Sequence, residues 1–433
     1  MNNQLKDVGS RAVRKASLRL LPLLFIAYLA SFLNRVNIGF ALTMKHDVGL
    51  SNSLFGLGAG LFFVGYFLFE VPSNVILARV GARRWIARIM LSWGVLSGCM
   101  ALVRGPTSFL VLRFFLGVAE AGFFPGVLLY ITYWFPAAYR ARTIALFMVA
   151  IPASLALGGP ISNAIVHLMG NAGGLATWQW LFIIEAAPTV LLALVVYRWL
   201  PDRPRDATWL DTEERDWLER SIAAEKQRIE AAHPLSLVGA LTDRRVLALS
   251  FIYFANLTTN LGIAFFLPSI IVGLGATATE ANYVSAVPFV CGIGGVLAFG
   301  YLADRFPARR RQFLVVTLLM SAFGLGAAGL VGATPVSIAL IGVASIGIYG
   351  AKGPFWPMPS LFLTGTAAAG GIGLINSIGN LGGFVGPYIM GRLKDLTGSY
   401  SPALYALAAL AIAAVFVLLL VIPQHDERQA TLS

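Results

Sequence analysis

The chain has 433 residues, 58% of them hydrophobic and only 12% charged, a composition that one water-soluble core could not bury. The +12 formal charge would suit a nucleic-acid binder, but most of the 32 Lys and Arg fall on the N-terminal side of the hydrophobic runs. Basic loops of that kind stay in the cytoplasm, so the chain is expected to be an integral membrane protein with both termini inside.

Twelve apolar runs of roughly 20 residues are predicted to span the bilayer, at approximately 19–43, 54–78, 85–103, 108–132, 142–168, 178–200, 245–272, 281–303, 312–332, 335–361, 370–391 and 401–422. Lys6, Arg11, Arg14, Lys15 and Arg19 precede the first run, as in a secretory leader. No small-residue cleavage site follows them, so the run is read as an uncleaved span. From Pro201 to Arg245 the chain turns polar, with a helix start at Asp211-Thr212-Glu213-Glu214. The expected organisation is a six-helix half over 1–200, a cytoplasmic linker over 201–243 and a second half over 244–433. The fold class is an all-α membrane protein of twelve transmembrane helices in two pseudo-symmetric six-helix halves.

Cys99 and Cys291 lie in different spans, which argues against a disulfide framework or a metal site, and no cofactor is expected. No phosphate-binding G-x-x-x-x-G-K-[ST] loop and no nucleophile–base pair in register occurs, which disfavours an ATP-driven pump and an enzyme.

One loop is spelled twice, half a repeat apart: Asn74 to Arg84, carrying Arg79, Arg83 and Arg84, and Gly300 to Arg310, carrying Asp304, Arg305 and Arg309. A short basic loop at matching places can pair with helix C-termini on one face and latch one conformation, or simply anchor that face. Leu157-Gly158-Gly159-Pro160 and Gly382-Gly383-Phe384-Val385-Gly386-Pro387 also match between halves. Small residues there permit close helix approach and proline permits a bend.

Charges inside spans are site candidates by default, because each costs a few kcal/mol unless it meets a polar cavity or a partner. Arg35, with Asn34 and Asn37 beside it and Tyr28 two turns earlier, is the first choice for a substrate anion: its planar fork can hold a carboxylate bidentately. Arg113 and Glu120 are seven apart on span four and so share a face. Glu120 is the best proton carrier, with a static ion pair as the alternative. Glu70 and Glu185 are placed nearer helix ends, in packing or capping roles. Lys352 precedes Gly353-Pro354-Phe355-Trp356-Pro357-Met358-Pro359, where three prolines must interrupt the helix and Trp356 would offer a wall to the substrate, with a lysine snorkelling to the cytoplasmic boundary as the alternative. Tyr66, Asn376, Ser377 and Asn380 supply uncharged donors and acceptors suited to hydroxyl or carboxylate groups, or to interhelical hydrogen bonds.

Gly300-x-x-x-Asp304-Arg305 and Pro160 resemble motifs of the major facilitator superfamily. Phe32 to Ala41, Glu70-Val71-Pro72-Ser73-Asn74, Arg113 to Ala121, Trp178 to Glu185 and Leu200-Pro201-Asp202-Arg203-Pro204 resemble, over nearly the whole chain, its anion:cation symporter family, particularly the bacterial tartrate and sugar-acid branch. The resemblance implies proton-driven uptake of a small organic anion by alternating access in the bacterial inner membrane. Expected partners are that anion, protons and the lipid bilayer, with no nucleic acid and a monomeric chain. By position it puts Arg35, Tyr66, Trp356 and Asn376 near substrate and Glu120 on the proton path. The family commonly carries Asp before the first-span Arg, where this chain has Asn34. Either coupling relies on Glu120 alone or Asn34 mimics a protonated carboxyl. The competing expectation is a proton-coupled multidrug or metabolite exporter of the same fold.

Overall fold

The computed structural model describes residues 2–41, 43–170, 172–231, 242–332, 334–359, 363 and 365–422, and among them no strand occurs. Eleven helices there are long and apolar enough to cross a membrane. The twelfth place belongs to the 33-residue helix Gly365–Thr397, whose many glycines and asparagines lower its mean hydropathy. The spans fall in the predicted order.

Three departures have physical causes. The first helix, Asn2–Val36, starts well before the expected boundary. Its extension is a docking face for the linker helix, Thr212–Ala231: Trp217 packs against Gly9, where a side chain would collide, and Lys15 pairs with Asp211 at 3.0 Å and Glu214 at 2.8 Å. Lys15 also holds the Asp211 carboxyl below its usual range. Upstream of that helix Trp209 stacks on Trp134 at 5.6 Å, and Leu210 and Leu218 are buried, so the start of the linker is built onto the first half. Linker residues 232–241 lie outside the described residues.

Span four is broken where one continuous helix was expected. It runs Pro106–Glu120 and then Phe123–Trp134, with Gly122 at φ 87° between them. That left-handed conformation suits glycine, and Ser73 fills the space a side chain would need. Span ten is helical over Pro335–Gly350 and again over Lys352–Phe355, ending in the proline cluster as predicted.

The halves meet through span two, Asn52–Val80, and span eleven, which run antiparallel. Asp395 accepts from the backbone N–H of Asn52 (3.3 Å) and of Ser53 (2.6 Å), placing a carboxylate at the positive end of the span-two helix. Gly56 lies against the Pro387 carbonyl and Gly383 against Phe63. Across spans five and eight, Gly159 abuts the backbone of Asn282, and Asn163 donates to the Thr279 carbonyl at 2.6 Å. Gly382 and Gly386 instead let span eleven approach span seven, Arg244–Val272, within one half.

Lys45, in the loop between spans one and two, crosses this seam: its Nζ is 3.0 Å from Ser269 Oγ and lies over the rings of Phe55 (4.2 Å) and Phe266 (5.0 Å). Burial pushes its pKa down to about 8, with Lys394 adding to the depression and Asp395 opposing it. A Lys45 freed into water returns to 10.5, so the closed seam binds fewer protons than an open one and gains stability as pH rises from about 8 to 10.5. Spin labels at positions 46 and 401 should therefore report fewer open molecules as pH climbs through that window, and Lys45→Met should flatten the response. An unchanged response in Lys45→Met refutes the assignment.

Candidate functional site

Span one presents Tyr28, Phe32 and Arg35 on one face, at spacings of four and three residues. All three are buried, and with Phe63, Tyr66, Phe124, Met148 and Ile151 they form the first-half wall of a cavity with about 510 Å³ of empty space. Tyr253, Leu257, Asn260 and Leu261 of span seven, Lys352 of span ten, and Asn376 and Asn380 of span eleven form the other wall. The enclosed part of it is about 40 Å³, room for little more than a water. The seven residues expected to bind substrate therefore gather here, with one exception.

That exception is Trp356, which packs behind the wall against Tyr253 at 5.0 Å and Phe355 at 5.4 Å. Lys352 does reach the cavity, with Nζ 4.9 Å from the Tyr349 ring, and no carboxylate among the described residues forms an ion pair with it.

Arg35 is enclosed by aromatic faces: Phe32 at 4.7 Å, Phe62 at 5.0 Å, Tyr66 at 5.5 Å and Phe63 at 5.7 Å. Its Nη2 donates to Glu120 Oε1, which also accepts the Ser31 hydroxyl at 2.5 Å. Arg35 Nε and Glu120 Oε2 are buried with no hydrogen-bond partner. A buried ion pair leaving one donor and one acceptor open is poorly satisfied by protein alone, which is the arrangement expected where a ligand or proton completes the set.

The partner of Glu120 is thus Arg35 and not Arg113, although Arg113 shares its helix face. Arg113 is fully buried and donates to the Gly58 carbonyl at 3.2 Å and, weakly at 3.5 Å, to the Arg35 carbonyl. It lies between Phe62 (5.1 Å) and Phe265 (6.0 Å). Its charge stands at the C-terminal end of span one, where helix carbonyls lack acceptors of their own. Asn34 turns away from Arg35 into the first half, donating to Thr189 at 2.7 Å and accepting from Ser97 at 3.1 Å.

Glu70 and Glu185 are mid-helix residues, and the expected capping roles do not apply. Glu185 accepts from Ser162 at 3.4 Å. Glu70 reaches across the seam to Asn376 (2.8 Å) and Asn380 (3.4 Å). Sequence reasoning missed Glu70 at this site, and with it Ser31, Tyr253 and Asn260. A signal for the last two existed, since Tyr253 and Asn260 are seven apart on one face of span seven, like Arg113 and Glu120 on span four.

None of the motif-loop residues lines the cavity. Arg79 and Arg84 are exposed, and the Arg83 N–H donates to Asp202 at 2.8 Å, capping span three with a carboxylate from the Leu200–Pro204 motif. Arg305 and Arg309 flank Phe306 at 5.7 and 5.8 Å. The side chain of Asp304 lies outside the described residues.

The profile of the Major Facilitator Superfamily matches residues 24–387 and again 246–432. An Agrobacterium vitis protein named "Putative tartrate transporter" is 49% identical over 96% of this chain and 92% of its own length. The "Quinolone resistance transporter" of Acinetobacter baumannii is 38% identical over 98% of both chains. Among solved structures, the xylose transporter XylE from E. coli superposes with a TM-score of 0.74 over 94% of this chain and 98% of that one, at 14% identity, a likeness of fold alone.

The Asn34 contacts generate a test. A protonated aspartic acid could accept from Ser97 and donate to Thr189 as Asn34 does, whereas an ionised one could only accept. Asn34→Asp should match the parent melting temperature near about pH 5 and fall below it by about pH 8, with the parent profile flat by comparison. Parallel profiles in a pH series of thermal unfolding would show that position 34 tolerates a buried carboxylate.

Proposed function

From the premise that this chain belongs to the Major Facilitator Superfamily and is a multi-pass membrane transporter, we propose that it takes up a small organic anion by proton-coupled symport through alternating access. The substrate class is a hydroxylated carboxylate, with tartrate the first compound to test, as the names of its near relatives suggest. The observation that carries this reading is Arg35 on the wall of a cavity shared by both halves, paired with the buried Glu120 and with a donor of the guanidinium left open.

In the proposed cycle a proton entering with the substrate goes to Glu120 and removes the negative charge that holds Arg35. The guanidinium then takes the substrate carboxylate bidentately. Tyr28 and Tyr66, with Asn376 and Asn380 opposite, orient the hydroxyls, and Lys352 supplies a second positive charge. After the halves reorient, substrate leaves, Glu120 releases its proton, and the pair re-forms. Arg113 keeps the end of span one in place, and Asn34, where the family commonly has Asp, keeps its position uncharged. The chain is placed in the bacterial inner membrane with both termini cytoplasmic, its basic loops at Arg79, Arg83 and Arg84 and at Asp304, Arg305 and Arg309 latching the cytoplasmic face.

An exporter of drugs or metabolites is the second reading, favoured by the ring-rich wall of Tyr28, Phe32, Phe63, Phe124 and Tyr253. A thermal-shift screen of tartrates, sugar acids, short dicarboxylates, aromatic acids and quinolones separates the two, since only ligands that bind the native protein raise its melting temperature.

Two variants test the mechanism. Arg35→Lys keeps the charge and loses the planar fork, so anion affinity should fall about tenfold or more, ~1.4 kcal/mol, with the protein still folded. Unchanged affinity in both Arg35→Lys and Arg35→Ala removes Arg35 from the site. Glu120→Gln should lose accumulation driven by a pH gradient in proteoliposomes and retain substrate exchange, which needs no net proton release. Concentrative uptake by Glu120→Gln would assign the proton to another group.

A further inference from the structure

Glu70 is a carboxylate with no assigned task. It is 5% exposed, sits mid-way along span two, and rests its two oxygens on the side-chain amides of Asn376 and Asn380 in the opposite half. Those asparagines are one turn apart on span eleven, and both line the cavity. Arg35 from span one, Tyr66 from its own helix and Tyr253 from span seven are the charged or titratable groups that act on it. Lys352, Glu120, which pairs with Arg35, and Arg113, whose charge is met by the carbonyl end of span one and the Gly58 carbonyl, complete the charged set around the cavity. No cation among the described residues forms an ion pair with Glu70.

Two of the three anion-recognising features of the cavity are therefore occupied by the protein's own carboxylates, Arg35 by Glu120 and the amide pair by Glu70, and Lys352 is the third. With both acids ionised, Arg35 and Lys352 balance them. A dianion that displaced both while they stayed charged would leave two uncompensated negative charges in a medium that solvates them poorly. A proton on each acid restores neutrality. It also converts one acceptor oxygen of Glu70 into a hydroxyl donor, which can no longer receive an amide N–H.

We propose that Glu70 is a second resident carboxylate: it occupies the amide subsite that receives the far carboxylate of a dicarboxylate substrate, and takes up a proton from water when the substrate displaces it. This rests on the reading of the cavity as a proton-coupled organic-anion site. It narrows the substrate class from hydroxylated carboxylates to dicarboxylates, and adds a second proton that enters and leaves with the substrate.

Calorimetry on the full chain in nanodiscs, with tartrate as probe and buffers of differing ionisation enthalpy, counts the protons taken up per ligand bound. At a pH where both acids are ionised in the free protein, the parent should take up about one proton more than Glu70→Gln, so tartrate affinity should fall about tenfold more steeply per pH unit in the parent than in the variant. Equal proton uptake by the two overturns the proposal. Should Glu70→Gln fail to fold, Asn376→Ala serves instead: with a donor gone Glu70 already favours its protonated form, so uptake should drop below the parent value, and an unchanged count again overturns it. If tartrate does not bind the parent at all, the transport reading fails in its substrate, and Glu70 is judged without ligand. Acidification should then produce a protonated-carboxyl band in the infrared difference spectrum that Glu70→Gln lacks, and identical spectra overturn the proposal.

Discussion

A guanidinium and a carboxylate in contact away from water are the constraint on which this structure turns. Arg35 and Glu120 each cost several kcal/mol to desolvate, and removing the partner of one leaves the other about 3–5 kcal/mol worse off. Neither can be left alone in the bilayer. On the proposed reading Glu120 lets go only when a proton takes its charge, and Arg35 is released only when another anion arrives. That prohibition on lone charges links the two flows without any further device.

The surrounding architecture holds that pair in register. Arg113 ties the end of span one to the Gly58 carbonyl, and Ser31, a turn before Arg35, fixes the carboxylate that Arg35 meets. Gly122 ends the helix just after Glu120, so the residue sits at a helix terminus inside the membrane and not in a continuous rod. The rings around Arg35 exclude water while offering their faces to the cation. Away from the cavity, the linker helix is clasped to span one through Lys15 and Trp217, which adds it to the packing of the first half.

Twelve spans, their order, the linker helix start and the break in span ten were legible because each rests on a local property: hydropathy, a capping pattern, proline. The charged residues were legible as candidates because the bilayer penalises them wherever they occur. Their pairings were not. Arg113 and Glu120 share a helix face, yet the contact that forms is between spans one and four, and only tertiary packing selects it. Glu70 was given a packing or capping role although its span was read to within two residues at each end, because its partners lie about 300 residues along the chain, in the other half. Trp356 followed the same logic in reverse: the proline-rich break was correctly located, but the side chain it releases turns behind Tyr253.

The antiparallel seam of spans two and eleven has a mechanical reading. The hydrogen bonds described along it run from Asn52 and Asp395 at one end to Glu70 and Asn376 farther along the two helices. At a rise of 1.5 Å per residue these two clasps stand roughly 27 Å apart on span two. If Glu70 is the fulcrum, a tilt of about 10° between the helices carries the Asn52 end through about 5 Å, more than the length of any hydrogen bond holding it. The leverage is unequal: an event of atomic size at the fulcrum becomes a complete rupture at the rim, whereas pulling on the rim barely strains the centre. A seam with that geometry can be tight and still be opened by a change confined to one carboxyl group.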